Sequence, residues 1–126
     1  IAKRQAATAA NKLKLDLFEK RLEVYSRVRA TIGSVLESRA YSDENFATMT
    51  ESHRHAKWLF TLGVANHIRY EIDKAIREYV EARAEGAHIG MDQEQRREQL
   101  RATRRRLIQT RIDFTDFVSP LLTVAH

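Results

Sequence analysis

The residues able to do chemistry in this chain are few, and their spacing keeps most of them apart. Five histidines occur. His53 and His55 stand two apart, so on a helix they point in opposing directions and cannot share a metal. His67 and Glu71 are four apart and can meet on one helical face, but a zinc site needs three or four converging ligands. His88 falls in a glycine-bounded stretch, and His126 ends the chain. The carboxylates Glu71, Asp73 and Glu78, then Glu81 and Glu85, alternate with Arg and Lys as on a solvated helix surface. A di-metal carboxylate centre would want Glu-x-x-His repeats on two helices. Glu51 is followed at that spacing by Arg54, and Glu85 precedes His88 only beyond the expected helix. No glycine-rich phosphate loop or serine or threonine nucleophile motif is present. The absence of cysteine excludes disulfides and thiolate metal sites. The expectation is no enzyme: no catalytic residue, no metal, no cofactor and no small-molecule substrate.

The sharpest local feature is basic. Residues 96–106 hold six arginines (96, 97, 101, 104, 105 and 106) against Glu98. On a helical wheel Arg97, Arg101, Arg104 and Arg111 fall within about 80° of one another, with Arg106 opposite and Arg105 lateral. Leu100, Leu107 and Phe114 border that stripe, so Arg104 and Arg111 are expected at the core's rim, their stems on apolar surface and their heads in water. Three uses remain open: pairing with the acidic middle of the chain, contact with anionic lipid or a protein partner, and nucleic-acid binding. No aromatic residue interleaves the cluster, which lowers the nucleic-acid reading. Across the chain, residues 1–30 carry eight bases against three acids, and residues 31–95 seven against eleven. Two basic blocks thus flank an acidic middle, a layout that suits anionic surfaces and helices that pair with one another.

Helices must position these groups. Breakers are scarce, with one proline and four glycines, while 43% hydrophobic residues allow a buried core in a single domain, 1–126. From Leu15 the apolar residues fall at Leu15, Phe18, Leu22, Tyr25, Ile32 and Leu36, with Arg29 interrupting and Leu17, Val24, Val28 and Val35 widening the stripe. This predicts a first helix over residues 5–40 whose first turns project beyond the fold. Residues 1–14 form a basic extension and 15–126 the bundle. Thr31 and Ser34 beside Gly33 read as small residues that let helices approach closely. Ser42 caps a second helix over 43–60, bearing Phe46, Met49, His53, Lys57 and Phe60 on one side and closing on Trp58-Leu59-Phe60. Gly63 is read as the break before a third helix, Val64 to Glu85, with Ala65, Ile68, Ile72, Ile76, Tyr79 and Val80 on one face. Gly86 and Gly90 bracket a loop. Asp92 with Gln95 then resembles a capping box for a fourth helix that ends near Pro120. Short connections make consecutive helices antiparallel. The fold class is therefore all-α, an up-down antiparallel bundle of about four helices with an extended first helix. The expected packing residues are Phe18, Leu22, Tyr25, Ile32, Ile68, Ile72, Leu107 and Phe114, and Phe18→Ala is expected to cost about 3–5 kcal/mol.

The run Lys12-Leu13-Lys14-Leu15-Asp16-Leu17-Phe18-Glu19-Lys20-Arg21-Leu22-Glu23-Val24-Tyr25 resembles a signature of small uncharacterised bacterial proteins, in which one N-terminal transmembrane helix leads into a helical soluble domain. Trp58-Leu59-Phe60, the segment Ile68-Arg69-Tyr70-Glu71-Ile72 and the stretch from Phe114 to Leu122 are similar too, while Thr61-Leu62 depart from the Phe-Gly or Phe-Asp step of those proteins. The resemblance implies an anchor upstream of Ile1 and a place at the cytoplasmic face of a bacterial inner membrane. Lys3, Arg4, Lys12 and Lys14 would then be the juxtamembrane flank. No run of eighteen apolar residues lies within the chain itself.

The functional expectation is a non-catalytic, membrane-tethered helical domain acting through a protein partner or through self-association as a homo-oligomer. The alternatives are a soluble basic module that binds nucleic acid through the Arg-rich helix, and an enzyme whose site forms only at an oligomer interface, with His67 and carboxylates in a shared pocket. Contacts with an anionic surface or partner are assigned to Lys3, Arg4, Lys12, Lys14, Arg97, Arg101, Arg105 and Arg106.

Overall fold

From Phe18 to Arg83 and from Gln99 to Leu122, side chains alternate between a buried stripe and water, and the structure follows from closing those stripes on each other. The computed structural model describes residues 2–84 and 89–123, with side chains from Ala6 onward; the expected loop residues Gly86 and His88 lie outside the described set. Four helices and no strand occur among the described residues. The first, α1, runs Ala2–Ser38, and α2 runs Asp43–Leu59. The third, α3, is one continuous rod made of an α segment Leu62–Asn66, a π-helical stretch His67–Ile72 and an α segment Asp73–Arg83. The fourth, α4, covers Gln93–Val118 and passes into a 3₁₀ turn at Ser119–Leu121.

Local chemistry sets most boundaries where the sequence places them. The Ser42 side chain accepts from the Asn45 backbone N–H at 3.0 Å, and Asp43 and Glu44 sit at the positive end of α2. At the start of α4, Asp92 accepts from the Gln95 N–H at 2.8 Å while the Gln95 side chain accepts from the Asp92 N–H at 3.2 Å, a complete capping box. α1 closes on Arg39, whose φ of +62° is left-handed and whose N–H donates to the Val35 carbonyl at 2.8 Å, a helix end usually given to glycine.

One boundary differs from expectation. Gly63 is no break: the Thr61 hydroxyl accepts from the Val64 N–H at 3.2 Å and starts α3 at Leu62. Gly63 lies inside the first turn, and a Cβ there would stand 3.2 Å from the Phe117 ring, so its lack of a side chain admits that ring. Of the small residues beside Gly33, Thr31 is buried and donates back to the Arg27 carbonyl, and Ser34 accepts from the Asn45 side-chain amide of α2, while nothing lies within 4 Å of a Cβ position at Gly33 itself.

Contacts fix the up-down order. Tyr25 donates to Thr115 at 3.3 Å and stacks on Phe114 at 5.7 Å, so α1 lies beside α4. Tyr79 reaches the Leu36 carbonyl at 3.4 Å, which places the C-terminal part of α3 beside the C-terminal end of α1. Arg106 pairs with Glu78 at 3.2 Å across α4 and α3. The core is formed by Val24, Val28, Ile32 and Val35 of α1, Met49 and Ala56 of α2, Val64, Ile68, Ile72, Ile76 and Tyr79 of α3, and Leu107, Phe114 and Val118 of α4.

Of the expected packing residues, Ile32, Ile68, Ile72, Leu107 and Phe114 are buried, and Tyr25 is partly buried against the core. Leu22 is not a core residue: it is 40% exposed, and Phe18 is only half-buried. The reason is angular. The line of α1 that meets its neighbours is Val24, Val28, Thr31, Ile32 and Val35, and Leu15 and Leu22 stand far around the helix from it.

Candidate interaction surfaces

At 100° per residue, Val24, Val28, Thr31 and Val35 occupy an arc of about 60°, which Ile32 widens to about 100°. Five turns of an α-helix take eighteen residues, so the positions eighteen earlier lie on the same bearings: Ala6, Ala10, Leu13 and Leu17, with Lys14 at one edge below Ile32. The line that α1 buries inside the bundle thus continues along its N-terminal part. There nothing covers it, since every residue from Ala6 to Leu17 is exposed, Leu13 at 69% and Leu17 at 38%.

The bundle stops just above this segment, and one side chain marks the edge. Arg21 donates through Nε to the Leu59 carbonyl at 2.5 Å and, more loosely, through Nη1 to the Leu121 carbonyl at 3.4 Å, with its guanidinium 5.6 Å from the centre of the Phe60 ring. It satisfies a carbonyl at the C-terminal end of α2, where intrahelical donors run out, and ties α1 to the α2–α3 corner and the final turn. Sequence reading missed this role, because an arginine on the flank of a stripe carries no signal of which backbone end it will meet. Around the same corner Trp58 (85%), Leu62 (65%) and Phe117 (45%) are exposed. The base of the bundle is therefore apolar where the bare helix leaves it.

The assigned basic residues divide between the two ends. Lys12 and Lys14 are exposed on the projecting part of α1, while the side chains of Lys3 and Arg4 lie outside the described set. On α4, Gln93 to Glu98 are exposed throughout, as are Arg101, Arg104 and Arg105. Arg101 makes a loose 3.7 Å pair with Glu98 on its own helix. Arg106, assigned to an external contact, turns instead toward Glu78 of α3, so pairing with the acidic middle falls to it. Arg111, expected at the rim, is partly buried. The structure does not gather the eight assigned residues into one patch: Lys12 and Lys14 lie beyond the corner where α2 ends, and the arginines lie toward the opposite end of the bundle.

The histidines do not converge. His53 lies between α2 and α3 beside Met49, Ile68 and Arg69; burial, then the positive charges of Lys57 and Arg69, lower its pKa below the ordinary histidine value. His55 stands 3.9 Å from Glu51. His67 is stacked on Phe114 and Phe117, each with ring centres 6.0 Å away, and its buried Nε2 has no hydrogen-bond partner among the described residues. It opens the π-helical stretch, where the Asp73 N–H reaches back five residues to the Ile68 carbonyl. No group of three His, Asp or Glu side chains converges among the described residues.

A polar cluster joins the α1–α2 connection to α3. Tyr41 donates to Asp73 Oδ1 at 3.0 Å, and Arg77 donates to Asp73 Oδ2 at 2.7 Å, with the Arg77 guanidinium 5.8 Å from the Tyr41 ring centre and 5.3 Å from that of Phe46. Burial first, then the bond to Asp73, push the Tyr41 phenol well above its ordinary value. This tyrosine stays protonated and acts as a tether. No helix among the described residues is long and apolar enough to cross a membrane.

No protein-family model, no curated protein and no solved structure matches the chain.

Proposed function

We propose that this protein works by contact rather than by chemistry, as a helical domain that presents the N-terminal part of α1 to a protein partner. The observation that carries the reading is the uncovered continuation of the core line, Ala6, Ala10, Leu13 and Leu17, on a helix that packs into the bundle from Arg21 onward. Apolar side chains on one line of a helix gain stability when a neighbour removes them from water. Toward the base of the bundle, Trp58, Leu62 and Phe117 are themselves exposed. Single exposed leucines are ordinary on soluble proteins, whereas a line in register with the core and continuous with an apolar rim has the form of a docking face. Lys12 and Lys14 on the same segment suit an anionic membrane surface on the cytoplasmic side. The membrane would then fix the orientation in which the line is presented.

The test is Leu13→Glu/Leu17→Glu in the full-length protein, read by chemical cross-linking in cells. Both residues lie outside the core, so the variant keeps the wild-type helical signal and melting temperature while losing the cross-linked species. Cross-linking that survives the double substitution overturns the reading.

A further inference from the structure

Resting on that reading, we infer that the occupant of the uncovered α1 line is the same line of a second copy, lying antiparallel. From the N-terminus the line reads Ala6, Ala10, Leu13, Leu17: small, small, large, large, with steps of four, three and four. Those steps are the alternation of inward positions in a two-stranded coiled coil. Reversing the line end for end sets Leu17 of one copy against Ala6 of the other, and Leu13 against Ala10. Each of the four layers then pairs one leucine with one alanine, so every leucine has a recess to enter and every layer has the same volume. A parallel copy would stack alanine on alanine and leucine on leucine, leaving two layers thin and two crowded. Close packing needs matched volumes, and the self-complementary order is met by the antiparallel arrangement.

Flanking charges agree. In this register the positions beside the line bring Lys14 next to Ala7 of the other copy and Asp16 next to Ala9, so no like charges meet at the edges of the four layers. The overlap of Ala6 to Leu17 is about 18 Å long, and each helix then runs on to the other copy's base, where Trp58 and Leu62 are exposed. An isologous two-fold contact of this kind closes on itself and stops at a dimer. Residues 2–17 carry four bases against one acid, so the two extensions repel at long range. Added salt screens that repulsion and strengthens the dimer. An acidic partner helix would show the opposite salt dependence.

The experiment is light scattering on the purified chain from low-micromolar to near-millimolar concentration at two ionic strengths, with the double-glutamate variant alongside. The chain contains no cysteine, so the register is read by oxidising Ala6→Cys and Leu17→Cys variants separately and mixed. The expected result is a molar mass that rises from 14.6 kDa toward twice that value, more steeply at high salt, while the variant stays monomeric. A disulfide forms in the mixture and not within either variant alone, because equivalent positions are then about 16 Å apart along the axis, beyond disulfide reach. Disulfides within each variant alone overturn the antiparallel arrangement. A monomer at every concentration, with cellular cross-linking still lost on Leu13→Glu/Leu17→Glu, overturns the second copy as occupant and leaves the contact reading standing. A monomer whose cellular cross-links ignore the substitution overturns both.

Discussion

Phe114 shows what a single side chain does here. Its ring is fully buried, stacked on Tyr25 from α1 and on His67 from α3, so it joins three helices at one point. Phe114→Ala is expected to cost about 3–5 kcal/mol, the range for a buried phenylalanine. Phe18→Ala, at a half-buried position on the flank of α1, should cost roughly 1–2 kcal/mol, since only part of its surface leaves water on folding. Urea denaturation of both variants checks the pair, and equal losses would contradict the placement of the core line on Val24, Val28 and Val35. His53 makes a pH-dependent contribution. Its folded pKa is lowered, chiefly by burial, so below its ordinary value the unfolded chain binds more protons than the folded one. Stability then rises with pH through that window: the contribution is full above about pH 6.5 and is lost as pH falls below it. His53→Gln should flatten the change in urea midpoint between pH 7.5 and 5.5 relative to wild type.

Capping and register act at the scale of the helix. The reciprocal bonds between Asp92 and Gln95 hold the first turn of α4 at a point where Gln93 to Glu98 are exposed and gain little from packing. Asp92→Ala should therefore remove about 1 kcal/mol and increase hydrogen exchange at the first amides of α4. Unchanged exchange there would mean the cap does not hold that turn. The same exposure explains why the arginine block has few partners within the fold. Arg106 lies opposite Glu78, whereas Arg97, Arg101 and Arg105 extend along a part of the helix that precedes its first buried residue, Leu107. In α3 the π-helical stretch from His67 to Ile72 adds one residue to a turn. That keeps Ile68 and Ile72 in the core while His67 lies against Phe114 and Phe117. The sequence lists the same face without showing the wider turn, because a 3.6-residue period absorbs one displaced position over so short a helix.

For the molecule as a whole, mismatched helix lengths decide what is free to act. α1 spans thirty-seven residues and α2 seventeen, so at 1.5 Å per residue one is about 30 Å longer than the other. Because Arg21 fastens α1 to the end of α2, the excess emerges entirely at the N-terminal side. A bare helical segment of this length is marginal in water by itself, and its attachment to a packed helix spares it the cost of nucleation. The bundle thus keeps a line of alanines and leucines helical, so a contact made there would carry a lower ordering cost.

Much of this was legible in the residues. Scarce breakers, the 3-4 spacing of apolar positions, Ser42 and the Asp92–Gln95 pair determine an all-α chain of four helices with a projecting start, because helix propensity and capping are local properties carried by neighbours in sequence. The candidate surface was only half legible: Lys12 and Lys14 could be assigned to it, but Leu13 and Leu17 could not be told from core leucines such as Leu107. Which side of α1 faces inward, the turn of Arg106 toward Glu78 and the meeting of Arg21 with the end of α2 were decided by tertiary structure alone. A wide apolar stripe fits several rotations of its helix about equally well, and the neighbouring helices select one by the volume they leave to be filled.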